Sequence, residues 1–136
     1  ELYRTHLRPF IAAMSAGLPA IMTAHVLFPE IDEKYPVTLS QMFIRDLLRR
    51  ELGFNGVVIS DGLAMGAISD NFAVEEVLEH IFTAGVDIIL VHSEYDPADL
   101  VTEAVDLVES GVVSADSCRL SARRILSLKY RFGLRP

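Results

Sequence analysis

The chain has 136 residues, which suits one domain of ordinary size, and its net charge of −7 argues against nucleic acid or an anionic membrane as a partner. A single cysteine, Cys118, excludes an internal disulfide, and no spacing of histidine, cysteine and carboxylate residues suggests a metal site. No apolar run approaches the ~18 residues that span a bilayer. No signal peptide is visible at the start; the location is left open, with the cytoplasm favoured.

Amphipathic helical segments alternate with short apolar segments along the chain. Gly and Pro separate them, as is typical of α/β proteins. A twelve-residue loop over residues 26–37 is long for a plain connection, and loops of that length are often functional. Strands are predicted at 19–25, 57–59 and 86–91, and helices at 7–16, 38–53, 74–85, 96–111 and from 114 onwards.

Polar residues predict where several of these helices begin. Thr38 and Gln41 form a T-x-x-Q pattern, which is typical of a capping box. Asp96, followed by a proline, and Ser114 are predicted to cap the last two helices. Strands joined by such helices pair in parallel through right-handed crossovers. Three strands alone would leave two apolar edges exposed, so the chain is expected to need the rest of a barrel or a partner chain.

One acidic residue follows the most strongly predicted strand. Val57, Val58 and Ile59 are consecutive β-branched residues, which predicts a strand buried on both faces. The polar pair Ser60 and Asp61 follows directly, at the end of a parallel strand where α/β proteins bind ligands. Asp61 is therefore either a catalytic or binding carboxylate or a residue that caps a turn, and spacing alone leaves both interpretations open.

Three segments together resemble one family. They are residues 22–25 (MTAH), residues 52–68 (LGFNGVVISDGLAMGAI) and residues 123–129 (RRILSLK). The combination is similar to the catalytic (β/α)8 barrel of family 3 glycoside hydrolases, and to the β-N-acetylhexosaminidase branch more than to the β-glucosidases. The resemblance implies that residues 1–136 are a partial catalytic domain, with about three C-terminal strand–helix units, a final helix and none of the earlier strands.

The resemblance also implies a reaction. A retaining enzyme of this kind cleaves terminal β-N-acetylglucosaminides through a covalent glycosyl–aspartate intermediate, and Asp61 lies at the position of the nucleophile. The substrate is a carbohydrate, and no cofactor is implied. The family's acid/base histidine and its aspartate lie on a K-H-F-P-G-H-G-D-like loop, which these 136 residues lack. The isolated chain is therefore expected to be inactive or nearly so.

Further site residues follow from the resemblance and from their place after strands. His25, Met65 and His92 are expected to bind substrate. The alternatives are a structural histidine, a core methionine and a solvated loop histidine. His25 could also orient Asp61. At position 62, where relatives often carry a second acidic residue, this chain has glycine.

Other polar residues are expected to have structural rather than catalytic roles. Asp87 is expected to pair or cap at the far end of the barrel, Asp32 and Glu33 to be solvated, and Cys118 to be half-buried. Alternatives for the whole chain are a non-catalytic fragment, a sugar-binding half-barrel or a β-glucosidase-type member of the same family.

Overall fold

The computed structural model describes residues 2–134 and has a small parallel sheet at its centre. Strand β1 (Ala20–Met22) pairs in parallel with strand β2 (Val57–Ile59), with Ala20 opposite Val57 and Met22 opposite Ile59. Strand β1 is shorter than the strand predicted at 19–25, whereas β2 has the predicted bounds of 57–59. The parallel pairing confirms the predicted α/β arrangement, since the helical connection between the strands lets both run in the same direction.

The predicted third strand over residues 86–91 is not a regular strand. Its backbone makes a single parallel bridge to β2, between Ile59 and Ile88, and the Ser60 amide donates to the Ile88 carbonyl at 2.9 Å. The Leu90 amide then donates to the Ser60 hydroxyl at 2.9 Å instead of to a backbone carbonyl. The segment therefore lies beside β2 as the sequence predicts, but a buried serine side chain replaces the next bond of the ladder.

Helices connect these strands and pack against them. The predicted caps Asp96 and Ser114 are confirmed, because each side chain accepts a hydrogen bond from the backbone amide two residues on. Gly85 ends its helix in the left-handed conformation, with φ of 96°, which glycine adopts without strain. The helices are α1 (Arg8–Ser15), α2 (Gly66–Ser69), α3 (Val74–Ala84), α4 (Pro97–Glu109) and α5 (Ala115–Arg131), together with a π-helix (Met42–Glu51) and a 3₁₀ turn (Val37–Leu39).

The capping box predicted at Thr38 is wrong. Thr38 lies buried within the 3₁₀ turn, and its hydroxyl bonds to other side chains. Ser40 is the residue whose hydroxyl accepts from the Phe43 amide, at 3.3 Å. The helix that follows is also a π-helix rather than an α-helix. Several of its apolar residues, such as Phe43 and Leu48, are five positions apart, a spacing that i to i+5 hydrogen bonding also keeps on one face.

The core lies between one face of the sheet and the helices that cover it. Val58 in β2 packs in one cluster with side chains of the π-helix and of α3. Because side chains alternate along a strand, Val57 and Ile59 lie on the opposite face. The buried members of this cluster are Leu39, Phe43, Ile44, Leu47, Phe54, Val58, Leu63, Ile68, Val77, Ile81, Ala84 and Val86.

A buried ion-pair network fixes the N-terminal end of the strands. The Asp87 side chain is fully buried and accepts from Arg49 at 2.6 Å and from Arg124 of α5 at 3.0 Å. It also accepts from the Ser121 hydroxyl at 2.6 Å and from the Val58 amide at 2.8 Å. Asp87 therefore pairs, as predicted, and it joins the π-helix, β2 and α5 at the end of the sheet opposite Asp61.

Candidate active site

Asp61 lies just beyond the carboxyl end of β2. Its side chain is turned toward its own loop, where Oδ1 accepts from the Gly62 amide at 2.8 Å, and the residue is half-buried. Three cavities described within residues 2–134 lie elsewhere, and Asp61 lines none of these three. One of them, of about 710 Å³, lies between α5 and the N-terminal ends of the strands. The carboxylate is thus ordered by its own loop and partly open to solvent.

His25 links the end of β1 to the loop that carries Asp61. Its Nε2 lies 2.9 Å from the Gly62 carbonyl oxygen, which can only accept, so Nε2 carries a hydrogen. Its Nδ1 lies 3.0 Å from the Thr38 hydroxyl, and that hydroxyl lies 2.8 Å from the hydroxyl of Thr23. In the neutral ring, Thr38 donates to Nδ1 and Thr23 donates to Thr38. Both ring nitrogens of His25 are therefore bound to protein groups.

Gly62 is the point where the neighbouring segments meet. Its carbonyl accepts from His25 and from the Met65 amide, the latter at 3.2 Å, while its own amide holds the Asp61 carboxylate. The imidazole of His92 lies directly against its α-carbon. Gly62 is thus contacted by side chains from the segments on both sides of β2.

The two remaining sequence-predicted residues lie nearby with exposed side chains. Met65 directly precedes α2 and is 48 % exposed, so it is not a core methionine. His92 is also exposed, although its ring covers Gly62. The structure therefore brings His25, Asp61 and His92 together around one glycine and places Met65 at the end of the same loop.

The prediction that Asp32 is solvated is wrong. The residue is buried, and its carboxylate accepts from the Ser40 hydroxyl at 2.6 Å and from the amides of Lys34 and Tyr35 at 3.1 and 3.0 Å. Burial alone would raise the pKa of Asp32, but the hydrogen bonds from Ser40, Tyr35 and Lys34 together lower the pKa below its usual value. Asp32 thus anchors the long loop, whereas Glu33 is exposed as predicted.

Sequence reasoning missed the threonine pair that supports His25. Thr23 and Thr38 are both buried and lie fifteen positions apart in sequence, with the long loop between them. The sequence offers one weak signal, a polar threonine directly after the apolar residues Ala20, Ile21 and Met22 of the strand segment. Asp32 did carry a local signal, because Asp side chains commonly bond the amides two and three residues on.

The part of the chain that the structure describes contains no group of three or more histidine, cysteine or acidic residues arranged to hold a metal ion. Within residues 2–134, no helix combines the length and the apolar character needed to cross a membrane. Cys118 is half-buried, as predicted, and is not disulfide-bonded.

Comparison with known proteins gives a consistent result. The model of the glycosyl hydrolase family 3 N-terminal domain matches residues 1–128. A β-hexosaminidase of Neisseria meningitidis serogroup C is 37 % identical over 103 residues, which cover 76 % of this chain and 28 % of that protein. The solved family 3 β-N-acetylglucosaminidase of Paenibacillus sp. strain FPU-7 superposes with a TM-score of 0.92 at 41 % identity, covering 98 % of this chain and 26 % of that one.

A second solved structure, the β-N-acetylglucosaminidase of Thermotoga maritima, has a TM-score of 0.88 at 36 % identity, over 93 % of this chain and 28 % of that one. The chain thus spans a little over a quarter of the length of these relatives. The resemblance to the β-N-acetylhexosaminidase branch is confirmed, because relatives with these names match most of the chain at well over 30 % identity. With the family model matching nearly its whole length, the chain belongs to glycosyl hydrolase family 3.

Proposed function

We propose that this chain is the C-terminal part of the catalytic barrel of a retaining β-N-acetylhexosaminidase, and that Asp61 is its nucleophile. The observation that carries the proposal is the placement of Asp61 at the carboxyl end of β2, with its carboxylate oriented by the Gly62 amide at 2.8 Å. In barrel enzymes, catalytic groups come from the strand ends at this face. The relatives described above support the choice of an N-acetylglucosaminide as substrate.

The chemistry requires a fixed carboxylate below the anomeric carbon. One oxygen of Asp61 attacks that carbon as the glycosidic bond breaks, which gives a glycosyl ester, and water then cleaves the ester. The transition state resembles an oxocarbenium ion, so a nearby negative charge stabilises it. Because Oδ1 accepts from Gly62, Oδ2 is the oxygen that would form the bond to the sugar.

Two histidines have different places in this proposal. His25 acts mainly as a positioning residue, since both of its nitrogens are bound to protein groups and its Nε2 fixes the loop next to Asp61. Met65, whose side chain is exposed at the same end, would line the sugar-binding side of the site, whereas the ring of His92 packs against Gly62. The proton donor for the leaving oxygen lies outside this chain, on another part of the barrel.

Exposed apolar side chains in and beside the sheet support the view that the chain is part of a larger barrel. Met22 at the end of β1 is 52 % exposed and Leu90 beside β2 is 42 % exposed, although both are large apolar residues in or next to the sheet. Strands and helices of the remaining barrel would cover them. A β-glucosidase-type specificity remains the second candidate, and assays of the full-length enzyme on aryl N-acetylglucosaminides and aryl glucosides would separate the two.

The direct kinetic test is Asp61→Asn in the full-length enzyme that contains this chain. The variant removes the charge and the nucleophile at nearly constant volume, so kcat should fall by at least about a thousandfold while substrate still binds. Asp106→Asn, at an exposed position on α4, is the matched control and should behave as the unmodified enzyme does. A rate within about tenfold of the unmodified enzyme for Asp61→Asn would place the nucleophile elsewhere.

A further inference from the structure

The space beside the Gly62 α-carbon is already filled. A Cβ built on Gly62 would overlap Cε1 of His92 and would lie 3.1 Å from Nδ1 and 3.4 Å from Nε2 of the same ring. The backbone does not require glycine here, because Gly62 is not among the glycines with positive φ. The His92 imidazole is therefore the reason that position 62 has no room for a side chain.

This contact completes a three-point restraint on one residue, Gly62, which links two peptide units. The Gly62 amide donates to Asp61, its carbonyl accepts from His25, and its α-carbon packs against His92. The segment that carries His92 is itself held beside β2, since the Leu63 amide donates to the Leu90 carbonyl at 3.2 Å. Movement of the imidazole would free one side of the peptide that orients the Asp61 carboxylate.

We propose that His92 is a positioning residue for Asp61, which acts through the shape of its ring against Gly62 rather than through a hydrogen bond to substrate. The inference rests on the proposed role of Asp61 as nucleophile. It replaces the expectation that His92 binds the sugar with a role that follows from the contact. Residues 62 and 92 are then coupled, because a change at either position disturbs the orientation of Asp61 and lowers kcat.

The test is a double-mutant cycle in the full-length enzyme with Gly62→Ala, His92→Ala and the combined variant. Because His92 is exposed, its ring can swing away from a methyl group at position 62, so Gly62→Ala should fold but displace the imidazole. Each single change should lower kcat, by up to about a hundredfold for a displacement near 1 Å, with KM little altered. The combined variant should be no slower than the slower single variant. Losses that multiply would overturn the proposal.

A third variant separates shape from hydrogen bonding. His92→Phe keeps a flat ring against Gly62 but has no ring nitrogen, so it should retain most of kcat and leave KM unchanged. A raised KM with unchanged kcat would instead show that a nitrogen of His92 binds substrate, and the positioning role would be wrong. Thermal unfolding of every variant checks that each one folds. The unfolding temperatures also give a second double-mutant cycle, which should show coupling between positions 62 and 92 independently of activity.

The outcome for Asp61→Asn keeps the two proposals apart. If that variant is inactive and the cycle is additive, only the inference about His92 fails. If Asp61→Asn stays active, the proposed function fails, and with it the role of His92 in catalysis.

Discussion

His25 Nε2 donates to the carbonyl oxygen of Gly62 over 2.9 Å and so joins the end of β1 to the loop that presents Asp61. The two residues are 37 positions apart in sequence. On the other side of the ring, Nδ1 is fixed by Thr38, a residue of the turn that closes the long loop. One imidazole therefore couples the conformation of that loop to the orientation of the proposed nucleophile.

Removal of this link should affect rate more than binding. In the full-length enzyme, His25→Ala leaves the Gly62 carbonyl and the Thr38 hydroxyl without the partner they have now, so we expect kcat to fall by at least about tenfold with a smaller change in KM. Steady-state kinetics on an aryl N-acetylglucosaminide measures both constants. A variant that raises KM alone would show that His25 contacts the sugar.

Thr38, which bonds to Nδ1 of His25, can be tested through its contribution to stability. Thr38→Val keeps the side-chain volume but removes the hydroxyl that bonds to Nδ1 and to Thr23. Because both partners are at least partly buried, the free energy of unfolding should fall by about 1–3 kcal/mol. Urea unfolding of the full-length enzyme measures this loss, and Thr102→Val, on the exposed surface of α4, is the matched control.

The buried Asp87 network should be a major contributor to stability. Burial disfavours the charged guanidinium and lowers the pKa of Arg49, whereas the negative charge of Asp87 opposes that effect. The charged form of the buried guanidinium is therefore stabilised by Asp87. Asp87→Ala leaves Arg49 and Arg124 without their carboxylate, and breaking such a buried pair costs about 3–5 kcal/mol. Asp106→Ala, at an exposed site, should change the unfolding free energy by no more than about 0.5 kcal/mol. Equal effects of the two changes would contradict the assigned role.

Asp32 predicts a pH dependence with a definite sign. Its pKa is lower in the folded chain than in the unfolded one, so its contribution is fully present above the unfolded value of about 3.9 and is lost as the pH falls through the folded value. Asp32→Asn should therefore destabilise by about 1–3 kcal/mol at neutral pH, and the difference from the unmodified enzyme should shrink in acid. Urea unfolding at several pH values measures this difference in unfolding free energy. A difference that grows in acid would contradict the lowered pKa of Asp32.

The isolated 136-residue polypeptide should have little or no glycosidase activity. It carries the proposed nucleophile, but the proposed function assigns the general acid that protonates the leaving oxygen to another part of the barrel, and such a group is worth about 10²–10⁴ in rate. The measurement compares equal concentrations of the polypeptide and the full-length enzyme on one aryl N-acetylglucosaminide. Turnover of the polypeptide at the rate of the full-length enzyme would show that these residues supply the acid as well.

Sequence patterns predict the features that depend only on residues close together in the chain, such as helix caps and helix ends. The caps at Asp96 and Ser114 and the helix end at Gly85 are local, and all three are present. The prediction of a regular third strand is wrong because the side chain of Ser60, the residue after β2, accepts from the Leu90 amide in place of a backbone carbonyl. No pattern within residues 86–91 contains that information.

The supporting contacts of the site were beyond prediction for a similar reason. The bond from His25 to Gly62 and the packing of His92 on Gly62 join residues that are 30 or more positions apart. A motif identifies Asp61 as the residue of interest, yet it does not show which side chains hold it. Asp32 was misassigned because its acidic neighbours suggested a solvated loop, whereas its carboxylate satisfies the amides of Lys34 and Tyr35.

The most direct measurement of the central claim is identification of the residue that carries the sugar during turnover. The full-length enzyme is mixed with an activated aryl N-acetylglucosaminide and quenched in acid, and its peptides are sequenced by mass spectrometry. We predict one N-acetylhexosaminyl ester, on Asp61, which is absent from Asp61→Asn and present in Asp106→Asn. An ester on any other carboxylate, with Asp61 unmodified, would contradict it.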